Sequence, residues 1–248
     1  MMEANAPIVE IMESVQGEGP YVGCRQIFIR FAGCNLNCSY CDTIGSKEAD
    51  LQLCRIEEPW GSQRFQYCSN PITVSEIITK LHKRSQNIHS LSLTGGEPLL
   101  SANFIIELAQ AWGSNRPPFY LETNGTLVTA MEKVHHCIDY VSMDIKLPTL
   151  TGHCCWEEHG QFLECIHNKK GYVKVVVGQE TTMEEISIAS SLIQQKAPTF
   201  PLVLQPISDS LGKTNLSAQQ LYQYQSWALQ EHDDVRIVPQ IHRLLSFL

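Results

Sequence analysis

The chain has 248 residues, of which 43% are hydrophobic and 18% charged, and its net charge is −8. That apolar content excludes a disordered chain, the length suits one domain or two small ones, and no cluster of Lys and Arg marks a nonspecific nucleic-acid binder. Ten cysteines are too few for a short secreted disulfide scaffold, where roughly 8–10% is usual. The N-terminal M-M-E-A-N-A-P-I-V-E has neither the basic nor the apolar part of a signal peptide. No apolar run approaches the roughly 18 residues that span a bilayer. A cytoplasmic protein with no membrane and no direct nucleic-acid partner is expected. Its cysteines then read as buried thiols, metal ligands or redox groups.

Strand-like and helix-like runs alternate along the chain. The run 26–31 (Q-I-F-I-R-F) reads as a strand. Helix 73–85 follows, with Thr73 as N-cap, Glu76 as its capping-box partner, and Ile77, Ile78 and Leu81 on one face. Then come strand 89–94, helix 101–112 with Phe104, Ile105, Leu108 and Trp112 on its buried face, strand 119–122, helix 129–137 and strand 140–145. The second half gives strand 172–177, helix 182–196 capped at Thr181 or Thr182, strand 202–205, helix 217–230 with Gln220 three residues after Ser217, and strand 235–238. This β(αβ) order, about six times over, predicts an α/β fold with a parallel sheet, doubly wound or barrel-like.

Two stretches break the rhythm inside what otherwise reads as a single domain over 1–248. They are irregular inserts at 44–71, with Cys54 and Cys68, and at 151–171, with Cys154, Cys155 and Cys165. Long loops of this kind are usually functional or disordered. Cys54 and Cys68 read as packed thiols, a thiol pair or ligands of a second metal. The group His153, Cys154, Cys155, His159, Cys165 and His167 reads as a thiol-rich polar segment, or as a zinc or auxiliary-cluster site.

Directly after strand 26–31 comes G-C-N-L-N-C-S-Y-C-D-T, in which Cys34, Cys38 and Cys41 have C-x3-C-x2-C spacing. Three thiolates on one short loop can each reach a different iron of a cubane and leave the fourth iron open. A closed zinc site would need a fourth ligand. After strand 89–94 comes Thr94-Gly95-Gly96-Glu97-Pro98, a tight strand-to-helix turn whose glycines permit close backbone approach.

These two motifs together resemble the radical S-adenosylmethionine (SAM) superfamily. The resemblance implies a partial TIM-like β/α barrel with its site at the C-terminal strand ends. It also implies a [4Fe-4S] cluster on Cys34, Cys38 and Cys41, and SAM on its open iron. An electron from the cluster then cleaves SAM to methionine and a 5′-deoxyadenosyl radical. SAM contacts are implied at Tyr40, Cys41, Asp42, Gly95, Gly96 and Glu97. Further contacts are implied at Glu122 of E-T-N-G, at Ser142, Asp144 and Lys146 of S-M-D-I-K, and at Gln205, Pro206, Ile207 and Ser208. For Asp144 and Lys146 a surface salt bridge is the plainer alternative.

Within that superfamily, V-Q-G-E-G at 15–19, Arg30, Asp42-Thr43 and P-Q-I-H at 239–242 resemble the 7-carboxy-7-deazaguanine synthase family. The resemblance covers most of the chain outside the two inserts. It implies conversion of 6-carboxy-5,6,7,8-tetrahydropterin to 7-carboxy-7-deazaguanine with loss of ammonia, in queuosine or archaeosine biosynthesis. SAM is regenerated, and Mg2+ assists at the substrate carboxylate. The substrate-binding set is then Val15, Gln16, Gly17, Glu18, Arg30, Thr94 and His242. Glu18 accepts from the pterin edge, Arg30 meets the carboxylate, and Thr43 gives Mg2+ an oxygen ligand. Arg30 alternatively pairs with an acid such as Glu122, and His242 is alternatively a plain surface histidine. No side chain acts as a catalytic nucleophile, because the cofactor carries the hard chemistry. An electron donor such as flavodoxin or ferredoxin is implied, and the insert 44–71 reads either as its docking surface or as a lid over the pterin site. A homodimer is implied too, with the apolar Leu244–Leu248 end at its interface. The rival readings are a glycyl-radical-enzyme activase, which would carry V-D-G-P-G in place of V-Q-G-E-G, and a non-catalytic iron–sulfur or zinc module, which needs none of the strand-end motifs.

Overall fold

The computed structural model describes all residues except Met1, Met2, Asp42, Lys83, Ser85, Gln86, Leu248 and the side chain of Ile44. The strands, in chain order, are β1 (Asn5–Ala6), β2 (Ile8–Val15), β3 (Arg25–Phe31), β4 (Leu53–Glu57), β5 (Phe65–Ser69), β6 (Ile72–Thr73), β7 (Ser90–Gly95), β8 (Phe119–Thr123), β9 (Tyr140–Ile145), β10 (Lys170–Val177), β11 (Leu202–Pro206) and β12 (Val235–Ile237). The helices are α1 (Val74–Leu81), α2 (Ala102–Trp112), α3 (Val128–Val134), α4 (Pro148–Thr151), α5 (Trp156–Ile166), α6 (Met183–Lys196), α7 (Ala218–Ala228) and α8 (Ile241–Leu244).

One sheet runs β12-β11-β10-β9-β8-β7-β3-β2-β4-β5, and β1 pairs with β6 apart from it. From β3 to β12 every neighbouring pair is parallel. Between those strands run α1, α2, α3, α5, α6 and α7. The sheet is not closed, so the barrel is partial, as the motifs imply. Strand periodicity decides which side chains face where. Leu91 and Leu93, Val141, Met143 and Ile145, and Val173, Val175 and Val177 pack in the core beneath the helices. Their alternates, among them Thr94, Ser142, Asp144 and Lys174, face a cavity at the strand ends.

The expected caps form. Thr73, Thr182 and Ser217 each close a capping box with Glu76, Glu185 and Gln220. Helix α1 ends at Leu81 rather than at 85; Ser85 lies outside the described residues.

Both inserts are more regular than the sequence suggests. Within 44–71, β4 and β5 form an antiparallel hairpin, and β4 joins the sheet parallel to β2. The L-C-R-I-E run alternates too briefly to stand out, and it gains its hydrogen bonds only from β2. Strand β2 was itself unread as an element; it pairs antiparallel with β3. Most of 151–171 is helix α5, which buries Phe162, Leu163 and Ile166. Its polar first turn and cysteines hide that apolar face.

The described side chains of neither insert form a three-ligand group. Cys54 and Cys68 are free thiols directly opposed across the hairpin. The Cys54 thiol is pushed up by burial and by its cysteine neighbour. In the second insert His159 is buried, Cys154 is exposed, and His167 meets the Glu164 carbonyl. Among the described residues no three His, Cys, Asp or Glu side chains converge on a single metal ion.

Candidate active site

The cavity at the C-terminal ends of the parallel strands has a volume of about 910 Å³. Cys34, Cys38 and Cys41 line it together with Tyr40 and Thr43, all on the loop after β3. The root of this loop is stitched to the next strand's turn. Gly96 N–H donates to the Phe31 carbonyl at 3.0 Å, and Glu97 N–H donates to the Gly33 carbonyl at 2.8 Å. A Cβ on Gly96 would lie 1.9 Å from Gly33 O, so the glycine is required by the cysteine loop itself. Farther along, Asn124 Nδ2 donates to Asn35 Oδ1 at 2.8 Å, and Lys47 Nζ donates to the Cys38 carbonyl at 3.2 Å.

The three thiols are free and half-buried. Burial pushes Cys34 and Cys38 up from the ordinary thiol range. A metal cation reverses that preference, because a coordinating thiol is deprotonated. Three free thiols on one pinned loop, with an empty volume beside them, therefore suit a cluster that leaves one position open to a second ligand. Two acceptors on the same walls, Asp144 Oδ1 and Gln205 Oε1, are buried with no hydrogen-bond partner among the described residues. Buried acceptors call for donors, and a ligand rich in N–H and O–H groups would supply them.

The remaining expected residues fall into connected groups. Glu18 is central. Lys174 Nζ donates to its Oε2 at 2.6 Å, while Gln205 Nε2 and Gln240 Nε2 donate to Oε1 at 3.0 and 2.9 Å. Burial pushes the Glu18 carboxyl up, but the Lys174 charge and hydrogen bond, with the Gln240 donor and His242, outweigh it and hold it at about 2. Lys174 also reaches Asp144, at 3.4 Å, and Lys146 pairs with Asp144 at 2.8 Å. The Asp144–Lys146 pair is therefore a cavity pair and not a surface bridge, with both side chains under 15% exposed. Burial works against the Lys146 ammonium, yet the Asp144 carboxylate holds it above the ordinary lysine range.

Gln16 is buried and supports its neighbours. Its Nε2 donates to Glu122 Oε1 at 2.9 Å, and its Oε1 accepts from Glu18 N–H at 3.0 Å. Thr94 Oγ1 donates to Glu122 Oε2 at 2.7 Å. Arg30 pairs with Glu10 at 2.7 Å rather than with Glu122. The His242 ring lies against Gly17, where a Cβ would meet its Nδ1 at 1.9 Å, and Ile241 N–H donates to the Gly17 carbonyl at 2.9 Å. The chain end thus closes over the Q-G-E-G segment, and His242 is no plain surface residue. Val15, Gly95, Ser142, Pro206, Ile207 and Ser208 also line the cavity.

Two expectations differ in outcome. Asp42 lies outside the described residues. Glu97 does not line the cavity. It is buried and accepts from Thr123 Oγ1 at 2.9 Å, Asn124 N–H at 2.8 Å and Leu99 N–H at 3.1 Å. Burial raises its carboxyl to about 7 against those donors. It joins the G-G-E-P turn to the end of β8 from behind. The glutamate of a strand-end motif reads as ligand-facing, but here the chain has turned away by one residue.

Sequence reasoning missed Lys174, Glu10, Arg55 and Gln240, all of which line the cavity. Lys174 left a signal, being the one charged residue within V-K-V-V-V of a strand buried on both faces. Glu10 and Arg55 left none, because their strands were not recognised.

The comparisons agree with this geometry. The model of the radical SAM superfamily matches residues 28–151. A 7-carboxy-7-deazaguanine synthase of Geobacter sulfurreducens is 38% identical over the full length of both chains. One of Archaeoglobus fulgidus is 34% identical over 99% of both. Among solved structures, QueE from Escherichia coli superposes with a TM-score of 0.61 at 20% identity, covering 95% of this chain and 94% of that one, which supports the fold. The chain belongs to the 7-carboxy-7-deazaguanine synthase family of the radical SAM superfamily.

Proposed function

We propose that the protein converts 6-carboxy-5,6,7,8-tetrahydropterin to 7-carboxy-7-deazaguanine with loss of ammonia, as a lyase of 7-deazapurine biosynthesis. One observation carries the reading: the three cysteines, Gln16, Gly17 and Glu18 of the Q-G-E-G segment, and Arg30 all line one strand-end cavity. A glycyl-radical activase has no use for a buried Gln16–Glu18 pair beside that loop. A bare metal module has no use for the cavity.

Cys34, Cys38 and Cys41 are assigned to a [4Fe-4S] cluster, and the walls at Asp144 and Gln205 to SAM. Bound there, cluster and SAM supply an electron and hydrogen-atom abstraction. The chain's own residues bind and orient. Lys174 keeps Glu18 ionised at neutral pH, so Glu18 offers only acceptors and selects an edge of N–H and amino donors. Glu122 carries a second carboxylate on the same wall, held in place by Gln16 and Thr94. Arg30 meets the substrate carboxylate. The Thr43 hydroxyl, which lines the cavity beside Cys41, is the proposed protein ligand of Mg2+. Glu97 acts behind the wall, as a positioning residue for Thr123 and Asn124.

The reductant is proposed to be a flavodoxin or ferredoxin. A homodimer is proposed through the exposed Leu244, Leu245 and Phe247, and sedimentation of Leu245→Glu tests it. No helix among the described residues is long and apolar enough to cross a membrane, in keeping with the proposed cytoplasmic location. The function is tested by anaerobic reconstitution with iron and sulfide, then SAM, Mg2+, dithionite and the tetrahydropterin. Product is expected from the wild type and is lost in Cys38→Ala together with absorption near 400 nm. A cluster that cleaves SAM but leaves the pterin untouched overturns the substrate assignment.

A further inference from the structure

One row of side chains crosses four adjacent strands at the edge of the cavity. Glu10 on β2 stands in register with Arg30 on β3 and with Arg55 on β4, and Arg30 stands in register with Thr94 on β7. All four line the cavity. Arg55 belongs to the hairpin of 44–71, so this insert supplies part of the site wall.

The Glu10 carboxylate is buried and shared. Its Oε1 accepts from Arg30 Nε at 2.7 Å, and its Oε2 accepts from Arg55 Nε at 2.6 Å. Arg55 Nη2 joins the same oxygen. The Arg55 guanidinium also lies over the Phe65 ring, 4.5 Å from its centroid, which fixes its plane. Arg30 meets Glu10 through Nε, the inner edge of its guanidinium, and the residue lines the cavity.

Charge balance singles out this row. Across the cavity Lys174 and Lys146 meet Glu18 and Asp144 two for two. Glu122 is held by neutral donors. Within this row Arg30 and Arg55 share the single carboxylate of Glu10, which leaves a local positive excess on the cavity wall. The Arg30 side chain is 17% exposed and that of Arg55 41%, so the excess positive charge borders the open cavity, where a ligand anion can meet it.

The geometry points to Arg55 as a second carboxylate-binding, specificity-determining residue: with Arg30 it forms a two-arginine clamp, fixed by Glu10, for the 6-carboxylate of the pterin. The inference rests on the proposed substrate and deepens it. Arg30 presents its Nη edge from the wall, and Arg55 closes from the hairpin side. A lysine at 55 would keep the charge but not the fork that holds Glu10 and a ligand together.

Calorimetric titration of the reconstituted, SAM- and Mg2+-loaded protein with 6-carboxypterin and with unsubstituted pterin tests the clamp. The wild type is expected to prefer 6-carboxypterin. Arg55→Gln is expected to weaken 6-carboxypterin roughly tenfold, the scale of one charge-assisted hydrogen-bond pair, and to leave pterin unchanged. Arg55→Lys should recover less than half of that loss. Equal weakening of both ligands, or none of either, overturns the clamp. If the wild type shows no preference and converts no carboxylated tetrahydropterin, the substrate assignment falls and the clamp falls with it. If the wild type prefers and converts the carboxylated compound while Arg55→Gln binds it normally, only the clamp falls.

Discussion

Lys174 and Glu18 are 156 positions apart in sequence and meet at 2.6 Å inside the cavity. Each is nearly buried, and each is the reason the other stays charged. Removing one partner of such a pair costs about 3–5 kcal/mol, because the other is left alone. Lys174→Met should therefore lose about that much stability in denaturant unfolding at pH 7. The pH response should change sign as well. In the wild type the Glu18 carboxyl is lowered from 4.5 to about 2, so its contribution is full above about 4.5 and is lost as pH falls toward 2. In Lys174→Met the two largest lowering influences are gone and burial, the largest cause of all, is opposed only by the Gln240 donor and His242, so the carboxyl rises and stability falls as pH rises above about 4.5. A loss under about 1 kcal/mol with an unchanged pH curve contradicts this account.

His159 gives a second pH prediction. Its Nε2 donates to the Asn124 carbonyl at 3.1 Å, which assigns the proton to that nitrogen, and its Nδ1 is buried with no partner among the described residues. Burial pushes the ring from 6.5 down to about 4. The folded state then binds fewer protons than the unfolded chain between those values, so its stability is full above 6.5 and lost as pH falls to 4. Glu97 runs the other way: raised from 4.5 to about 7, it lowers stability as pH rises through that window. The two slopes oppose, and the wild-type curve should be shallow. His159→Gln removes one of them. The stability gap between wild type and variant should be larger at pH 7 than at pH 5 by about 2 kcal/mol, at about 1.4 kcal/mol per pH unit. Urea unfolding at both pH values measures it, and a gap independent of pH contradicts it.

The parallel half of the sheet was legible because each strand there is a short β-branched run followed by a helix with a cap. The strand-end motifs were legible because glycine, proline and cysteine at fixed spacing have few other uses. Glu97 was misplaced because a sequence shows that a residue is at a strand end, not which way it turns there. The hairpin carrying Arg55 was missed because β4 has five residues and takes its partner from β2, about 45 positions earlier. Helix α5 was missed because its buried Phe162, Leu163 and Ile166 are interleaved with Glu, His and Cys. Non-local pairing and mixed faces leave weak periodicity, and Glu10 and Arg55 lie where those occur, whereas Lys174 sits on a strand that was legible.

Two glycines should respond oppositely to alanine. At Gly96 the new Cβ meets Gly33 O at 1.9 Å and Ser46 O at 2.9 Å, both backbone atoms that cannot step aside. Gly96→Ala should therefore displace the root of the cysteine loop and abolish the absorption near 400 nm after reconstitution. Gly160 sits within α5, with Leu192 Cδ2 at 3.6 Å as its nearest neighbour. Gly160→Ala should stabilise by roughly 0.5–1 kcal/mol through helix propensity alone and keep the cluster. Retention of the cluster in Gly96→Ala would separate the turn from the loop.

Arg30 tests the carboxylate end in turnover. Arg30→Gln removes a charged donor from the substrate and leaves Glu10 with Arg55 alone. KM for the tetrahydropterin should rise ten- to a hundredfold, about 1.5–3 kcal/mol for hydrogen bonds to a charged group. SAM binding should stay near wild type, because the Asp144 and Gln205 walls are untouched. Loss of SAM affinity in place of pterin affinity would put Arg30 at the wrong ligand.

The most direct test of the central claim is the yield of 7-carboxy-7-deazaguanine, measured by mass spectrometry, when the reduced, reconstituted enzyme receives excess 6-carboxytetrahydropterin and a limiting amount of SAM. The account predicts more product than SAM supplied, since SAM acts as a cofactor, and none from Cys38→Ala. A wild-type enzyme that consumes SAM while the pterin is recovered intact would contradict it.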